Sequence, residues 1–290
     1  MTLRISLRAL EVFVAIADCA TVTLAAERVW LTQSAASQAL ASLEQGVSAP
    51  LFDRVGRRLV LNENGRLLLP KARALLDLSL EAQNLFSGGA AHLRLGASST
   101  IANYLLPRLI AGFRRLNPNS GVELLVGNTQ DIIHAVASFR VDVGFIEGPC
   151  HHPELRIYPW RDDELVVVVA AEHAFVRQMP DMATLAAAPW ILREAGSGTR
   201  EEVERLLLPR LGTFAVAMEL GDSEAIKHAV EAGLGVSCLP RRVVAEQLLR
   251  GVLHALPLPV LTRSLYRVMH RDKAMTRGLA HFLDYVAEEL

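Results

Sequence analysis

Cysteine is scarce in this chain, and so are long apolar runs and any large excess of one charge. The three cysteines, Cys19, Cys150 and Cys238, are scattered and odd in number. A disulfide framework is therefore not expected, and a reducing compartment fits. No stretch reaches the roughly 18 uncharged apolar residues that a membrane span needs. The opening "MTLRISLRALEVFVAIADCATV" is interrupted by Arg4, Arg8 and Glu11 at helical spacing, so it lacks the unbroken apolar core of a signal peptide. These absences predict a cytoplasmic protein with no membrane partner. A formal net charge of −1, from 30 Lys/Arg and 31 Asp/Glu, argues against a surface that binds polyanions everywhere.

What is present is bulk and local pattern. With 290 residues, 51% of them hydrophobic, the chain can bury a sizeable core and build two or three domains. Between Arg28 and Arg73 lie seven Arg/Lys and three Asp/Glu, a local charge of +4. Any nucleic-acid surface should lie near this N-terminal part. Ser6 is placed to cap a helix whose Leu7, Leu10, Val14 and Ala17 form one apolar stripe. Thr21 can cap a second short helix containing Leu24, Ala25 and Ala26, and Thr32 a third that runs to about Gln45. Three short helices, the last two joined by about three residues, have the dimensions of a helix-turn-helix.

The third helix, within "LTQSAASQALASLEQ", is rich in small and hydroxylated residues and almost uncharged. Its first turn presents Gln33, Ser34, Ser37 and Gln38, while Ala35, Ala36, Ala39, Leu40 and Leu43 can face the other helices. Gln can pair with adenine through two hydrogen bonds in the major groove, and Ser can bond several base edges. Contacts to phosphate can then fall to Arg28, Arg54, Arg57 and Arg58. A packing helix and a solvated basic loop are the plainer readings of the same residues. "LFDRVGRRLVLNENG" suggests a small hairpin, or wing, turning at Gly56. A long helix started by Asn62 follows, carrying Leu68, Leu75, Leu76, Leu78 and Leu85, with Pro70 expected to kink it or cost about 3 kcal/mol. "SGGAA", Ser87 to Ala91, is the most linker-like stretch.

Beyond it, strand and helix patterns alternate: "HLRLGAS", "TIANYLLPRLIAGFRRL", "GVELLVGN", "TQDIIHAVASFR", "VDVGFIEG", and then a similar second half from "ELVVVVAA" to "GVSCLP". Such alternation predicts parallel α/β sheets with helices on both faces, and two similar halves suggest two lobes with a cleft. Ser98, Ser99 and Thr100 lie between a strand end and a helix start, and Ser197, Gly198, Thr199 and Arg200 at the same kind of junction in the other half. Free N–H groups, the positive end of the helix dipole and the hydroxyls favour a small anion there; helix capping alone is the plainer reading. Two more strand ends offer Asn128, Thr129, Ile146 and Glu147. Glu147 sits awkwardly with an anion unless it binds a hydroxyl, orients Arg200 or stays out of contact. Arg200 can instead pair with Glu204 one turn on. "CHH", Cys150 to His152, lacks a second ligand pair at zinc-like spacing, and "GLGVS" precedes a strand instead of opening a helix. Neither a metal site nor a dinucleotide loop is expected, and no nucleophile and base stand at usable spacing, so neither a cofactor nor catalysis is expected.

"LEVFVAIADCATVTLAAERVWLTQSAASQALASLEQGVSAPLFDRVGRRLVLNENG" resembles the N-terminal domain of LysR-type transcriptional regulators. The likeness rests on its AAERV helix, the Thr-Gln-Ser-Ala start of the third helix where the family has Ser-Gln-Pro/Ser-Ala, LE followed by LF-x-R, and the N-x-x-G entry to the linker helix. Val22, where an aromatic is usual, and "GVSAP", in place of a leucine-glycine pair, depart from the pattern. The resemblance implies an all-α winged helix-turn-helix at 1–62, a linker and dimerisation helix at 63–90, and a two-lobed α/β domain like the periplasmic binding proteins at 91–290. Within that last domain, lobe I is expected at about 91–161 and 266–290, and lobe II at about 162–265. By position, Gln33, Ser34, Ser37 and Gln38 should meet base edges, and Arg54, Arg57 and Arg58 phosphate or the minor groove. The expected protein is a homodimer or homotetramer that binds double-stranded promoter DNA and changes its grip when a small effector fills the cleft. RNA polymerase is a further partner if it activates. A cytoplasmic solute-binding protein is the alternative, since the C-terminal 200 residues alone would suit one.

Overall fold

The computed structural model describes residues 4–56, 58–83 and 92–288. Arg57, Leu85 and the stretch Ser87 to Ala91 lie outside the described residues. The chain divides into an N-terminal unit, which also takes in residues 119–121 and 272–281, and a second unit holding most of residues 92–288.

The N-terminal unit begins with α1 (Leu7–Cys19), α2 (Val22–Arg28) and α3 (Gln33–Val47). Each starts at the residue whose hydroxyl was placed to cap it: Ser6 accepts from the Ala9 N–H at 3.1 Å, Thr21 from Leu24 at 3.3 Å and Thr32 from Ala35 at 3.2 Å. Such bonds satisfy N–H groups that a helix leaves unpaired in its first turn. The apolar sides of the three helices meet around Phe13, whose ring lies 5.5 Å from that of Phe52 on the first wing strand. The wing is β1 (Phe52–Val55) paired antiparallel with β2 (Arg58–Leu61). Its base is tied to the bundle by Leu59 N–H donating to Ala20 C=O at 2.8 Å.

Asn62 opens α4 (Glu63–Gln83), its side-chain oxygen accepting from Gly65 N–H at 3.0 Å. Gly65 is required by close approach: a Cβ there would lie 2.2 Å from the Leu51 carbonyl oxygen. The helix runs on through Pro70, with Leu69 and Ala72 buried in the bundle core. The expected leucine stripe divides. Leu68 and Leu76 pack against the core, whereas Leu75 and Leu78 are exposed, as is Leu67 on the same face.

The second unit continues the alternation with β3 (His92–Ser98), α5 (Ser99–Tyr104), α6 (Leu106–Leu116), β4 (Gly121–Gly127), α7 (Thr129–Ala137) and β5 (Val143–Glu147). The single helix expected from "TIANYLLPRLIAGFRRL" is two, broken at Leu105. Pro107 supplies the reason, because it removes an N–H and suits only a helix's first turn. Next come β6 (Leu155–Ala170), α8 (Ala174–Arg177), α9 (Met182–Ala187), β7 (Trp190–Arg193), α10 (Gly198–Leu211), β8 (Val216–Leu220) and α11 (Ser223–Glu231). The chain closes with β9 (Ser237–Pro240), α12 (Arg241–Leu249), β10 (Leu253–Ala255), β11 (Leu261–His270) and α13 (Arg277–Glu288).

β3 with β5 and β7 with β8 pair in parallel as the alternation predicts. Other pairings depart from it in the seven-stranded sheet, to which β7 and β8 do not belong: β11 is antiparallel to both β5 and β6, and β6 to β9 and β10. β11 lies between β5 and β6 and runs against both, so β5 and β6, joined by residues 148–154, point the same way. The two longest strands bridge the unit. The C-terminal end of β11 pairs with β5, whereas the later part of β6 pairs with β9 and β10, and a bulge interrupts their ladder between Leu265 and Tyr266. One half is thus built on β3 to β5 and the other on β7 to β10. Separate apolar clusters fill them, one around Ile132, Val136 and Val268, and others around Trp190, Leu207, Ile226 and Val244.

Candidate functional site

On α3, Gln33, Ser34, Ser37 and Gln38 are all exposed, while Ala36, Leu40 and Leu43 are buried against the other helices. The side chains able to read bases therefore form one free face, held by an apolar opposite face. The Ser34 hydroxyl lies 3.1 Å from that of Thr32, the capping residue. Arg54 and Arg58 are exposed on the wing. Arg28 is exposed as well, but its guanidinium pairs with Asp18 at 3.1 Å. Asp18 in turn meets the buried Arg73 of α4, so this ion pair also fastens α4 to the bundle.

In the second unit, the ends of β3, β5 and β7 and the starts of α5, α7, α10 and α11 converge. Ser98 and Thr100 are each 2% exposed, and neither hydroxyl has a partner among the described residues. A buried hydroxyl without a hydrogen bond costs about 1–3 kcal/mol, so such groups are expected to have a use. Ser99 meets Arg193, the last residue of β7, which no sequence motif singled out. The Arg193 Nη1 donates to the Ser99 hydroxyl at 3.2 Å and to that of Ser223 at 3.1 Å, joining the two halves. A hydroxyl that accepts from arginine keeps its own proton for a third group. The cluster thus gathers hydroxyl donors around a buried cation. A charged residue ending the short buried strand "WILR" was the available signal for Arg193; Ser223, in "GDSEA", left none beyond a capping pattern.

Arg193 is also held by Glu194, whose oxygens accept from its Nε at 2.7 Å and Nη2 at 2.9 Å. Burial pushes the Glu194 carboxyl up, but hydrogen bonds from Arg193 and Asn128 and the arginine's charge outweigh it and hold the group below its usual range. Across the same junction the Tyr104 hydroxyl donates to Glu224, and burial together with that carboxylate pushes the phenol well above its ordinary value.

The remaining predicted residues make contacts within the protein. The Ser197 hydroxyl caps α10 by accepting from Arg200 N–H at 3.4 Å, and Asn128 caps α7 in a capping box with Asp131. Ile146 lies in the apolar cluster with Ile132 and Val136. Arg200 pairs with Glu204 at 2.5 Å and Glu219 at 3.0 Å, and donates to the Arg193 carbonyl at 2.8 Å. Glu147 is explained by a cation invisible to sequence proximity. The fully buried Arg263 of β11 bonds Asp163 at 2.9 and 2.8 Å and the Thr199 hydroxyl at 2.8 Å, and stands 3.9 Å from Glu147. Arg242 reaches Asp163 at 2.7 Å, giving two cations for two carboxylates. Thr129 donates to the Glu147 carbonyl at 3.2 Å. Gly198 is pressed against this cluster, where a Cβ would lie 2.2 Å from the Glu147 carbonyl oxygen.

Burial pushes the Cys150 thiol up, and that of Cys238 to about 12, so neither side chain carries thiolate near neutral pH. Among the described residues no helix is long and apolar enough to cross a membrane.

Known proteins match both units. Residues 7–66 match the family described as bacterial regulatory helix-turn-helix protein, lysR family, and residues 87–290 the LysR substrate binding domain. Over 285 residues the chain is 53% identical to the HTH-type transcriptional regulator YeiE of Escherichia coli strain K12, covering 98% of this chain and 97% of that one. A full-length OxyR variant of Pseudomonas aeruginosa shares the fold, with a TM-score of 0.75 at 24% identity over 98% of this chain and 94% of that one. The regulatory domain of CcmR from Synechocystis PCC6803, in complex with 2-PG, aligns with a TM-score of 0.63 at 29% identity, covering 69% of this chain and 97% of that one.

Proposed function

The chain belongs to the LysR family of transcriptional regulators, and on that premise we propose that its hold on promoter DNA is set by a small anionic metabolite or inorganic oxyanion bound between the two halves of its effector-binding domain. The observation that carries the anion is the pair of partnerless buried hydroxyls, Ser98 and Thr100, beside the Arg193 cluster. CcmR, captured with 2-PG, supports a small ligand in a domain of this fold. An anion joining Ser98 and Thr100 to Arg193 would favour one arrangement of the two halves, and a ligand acts only through such a difference in affinity.

Thermal unfolding of the full-length protein with sulfate, sulfite, phosphate and common organic acids tests this reading. A cleft ligand at a hundred times its Kd adds about 2.7 kcal/mol of stability by mass action. Arg193→Ala is expected to abolish that rise. No rise with any anion, or an undiminished rise in Arg193→Ala, would count against the site.

For DNA, Gln33, Ser34, Ser37 and Gln38 are the proposed base readers, with Arg54, Arg57, Arg58 and Arg28 on phosphate. Gln33→Ala is expected to cost about 1–3 kcal/mol of discrimination between a preferred and a scrambled duplex. Arg58→Ala should weaken both duplexes alike and lower the salt slope by about one. Equal loss on both duplexes in Gln33→Ala would refute the base-reading role. The exposed Leu67, Leu75 and Leu78 of α4 support a second copy of the chain as the partner of that helix. A dimer of dimers, and contact with RNA polymerase if it activates, extend the same proposal.

A further inference from the structure

Trp30 sits in the turn between α2 and α3 with 91% of its surface exposed, although its neighbours Val29 and Leu31 pack into the core. Indole is the largest apolar side chain, and in most proteins its surface is largely covered. Here the backbone itself turns it outward. Trp30 has a φ of +57°, a left-handed conformation rare for a bulky residue. The turn is pinned on every side to keep it so. Val29 N–H donates to Ala25 at 3.1 Å, Trp30 N–H to Glu27 at 3.2 Å and Leu31 N–H to Ala26 at 2.9 Å, and the Arg8 guanidinium holds the Val29 carbonyl at 2.6 Å. An indole fixed in water on a rigid pedestal is prepared for a partner, because little freedom remains to be lost on contact.

Its position identifies the partner. Trp30 lies two residues before Thr32, the cap of α3, and three before Gln33, the first exposed amide of the recognition face. Exposed Arg28, Arg54 and Arg58 give the same unit cationic surface. Indole offers one N–H donor and no acceptor, whereas a phosphate offers acceptors only, and the ring's flat face suits the apolar edge of a deoxyribose. We infer that Trp30 is a DNA-contacting residue that clamps the sugar-phosphate backbone beside the recognition helix. It sets how deeply and in which register that helix enters the groove. It reads no base itself.

The test uses the full-length protein, a duplex it enriches from a random library, and a scrambled duplex of the same composition. Trp30→Ala is expected to weaken binding to both duplexes by about tenfold. The salt slope should be unchanged, because the lost side chain is neutral. Trp30→Phe, which keeps a ring without the donor, should recover part of the loss. Binding of DNA should shift the wild-type tryptophan emission to the blue and shield it from acrylamide, and Trp30→Phe should lose both changes. Unchanged affinity in Trp30→Ala would overturn the assignment. So would a loss confined to the enriched duplex, which makes Trp30 a base reader, or an altered sedimenting mass without DNA, which makes it a contact between protein copies. Failure of Gln33→Ala to relax base preference bears on the reading of α3 alone and leaves these outcomes distinct.

Discussion

Replacing Arg263 with methionine is expected to destabilise the effector-binding domain by about 3–5 kcal/mol, the usual consequence of removing one partner from a buried ion pair. Methionine restores much of the volume, so the loss is electrostatic instead of a cavity effect. Without the guanidinium, the Glu147 carboxylate loses the cation 3.9 Å away, and Asp163 keeps only Arg242. Thr199 loses the donor that ties the start of α10 to β11. Urea unfolding reads the cost as a lower midpoint at unchanged slope. A second variant separates charge from packing: adding Glu147→Gln to Arg263→Met should recover part of the loss, because the uncompensated charge disappears while Asp163 keeps Arg242, and a double-mutant cycle measures the coupling. A cost below about 1 kcal/mol for Arg263→Met would show that the two carboxylates find compensation elsewhere.

Gly198→Ala is expected to act more sharply on function. The added methyl would lie 2.2 Å from the Glu147 carbonyl oxygen and 2.5 Å from the Thr129 hydroxyl. The first of these atoms belongs to the backbone, so relief requires the start of α10 to move away from β5 and α7. That movement parts the two halves where Gln130 N–H donates to the Gly196 carbonyl at 3.2 Å and pulls Thr199 from Arg263. Overpacking of this kind costs about 1–3 kcal/mol. The larger expected effect is on the anion: its apparent Kd, from the concentration dependence of the unfolding temperature, should rise at least about tenfold, since closure now carries the strain. Wild-type affinity in Gly198→Ala would mean that the anion binds without the two halves meeting at this glycine.

The N-terminal unit was legible because its determinants are local. Ser6, Thr21, Thr32 and Asn62 each act on an N–H three residues ahead, and the exposed and buried faces of α3 follow from helical spacing alone. Trp30 was visible as a letter, but its exposure was not, because the left-handed turn depends on Arg8 reaching Val29 from another helix. In the second unit, the hydroxyl-rich junctions could be found from strand and helix order. Their uses could not. Ser197 and Asn128 serve their own helices, Ile146 faces the core, and Arg200 takes the neighbouring carboxylate Glu204.

By itself, then, the sequence determined the helix starts, the uncharged exposed face of α3, the wing and the alternation of strands with helices, since these rest on interactions within a few residues. Only the tertiary structure decided which charges face one another. Arg193 meets Ser99 across 94 positions, and Arg263 meets Asp163 across 100. No periodicity encodes such pairs. They follow from tertiary pairing, because the antiparallel ladder of β6 and β11 sets Arg263 opposite Asp163 and the end of β7 meets the start of α5, where the low polarity of the interior makes every unpaired charge costly and so fixes its partner.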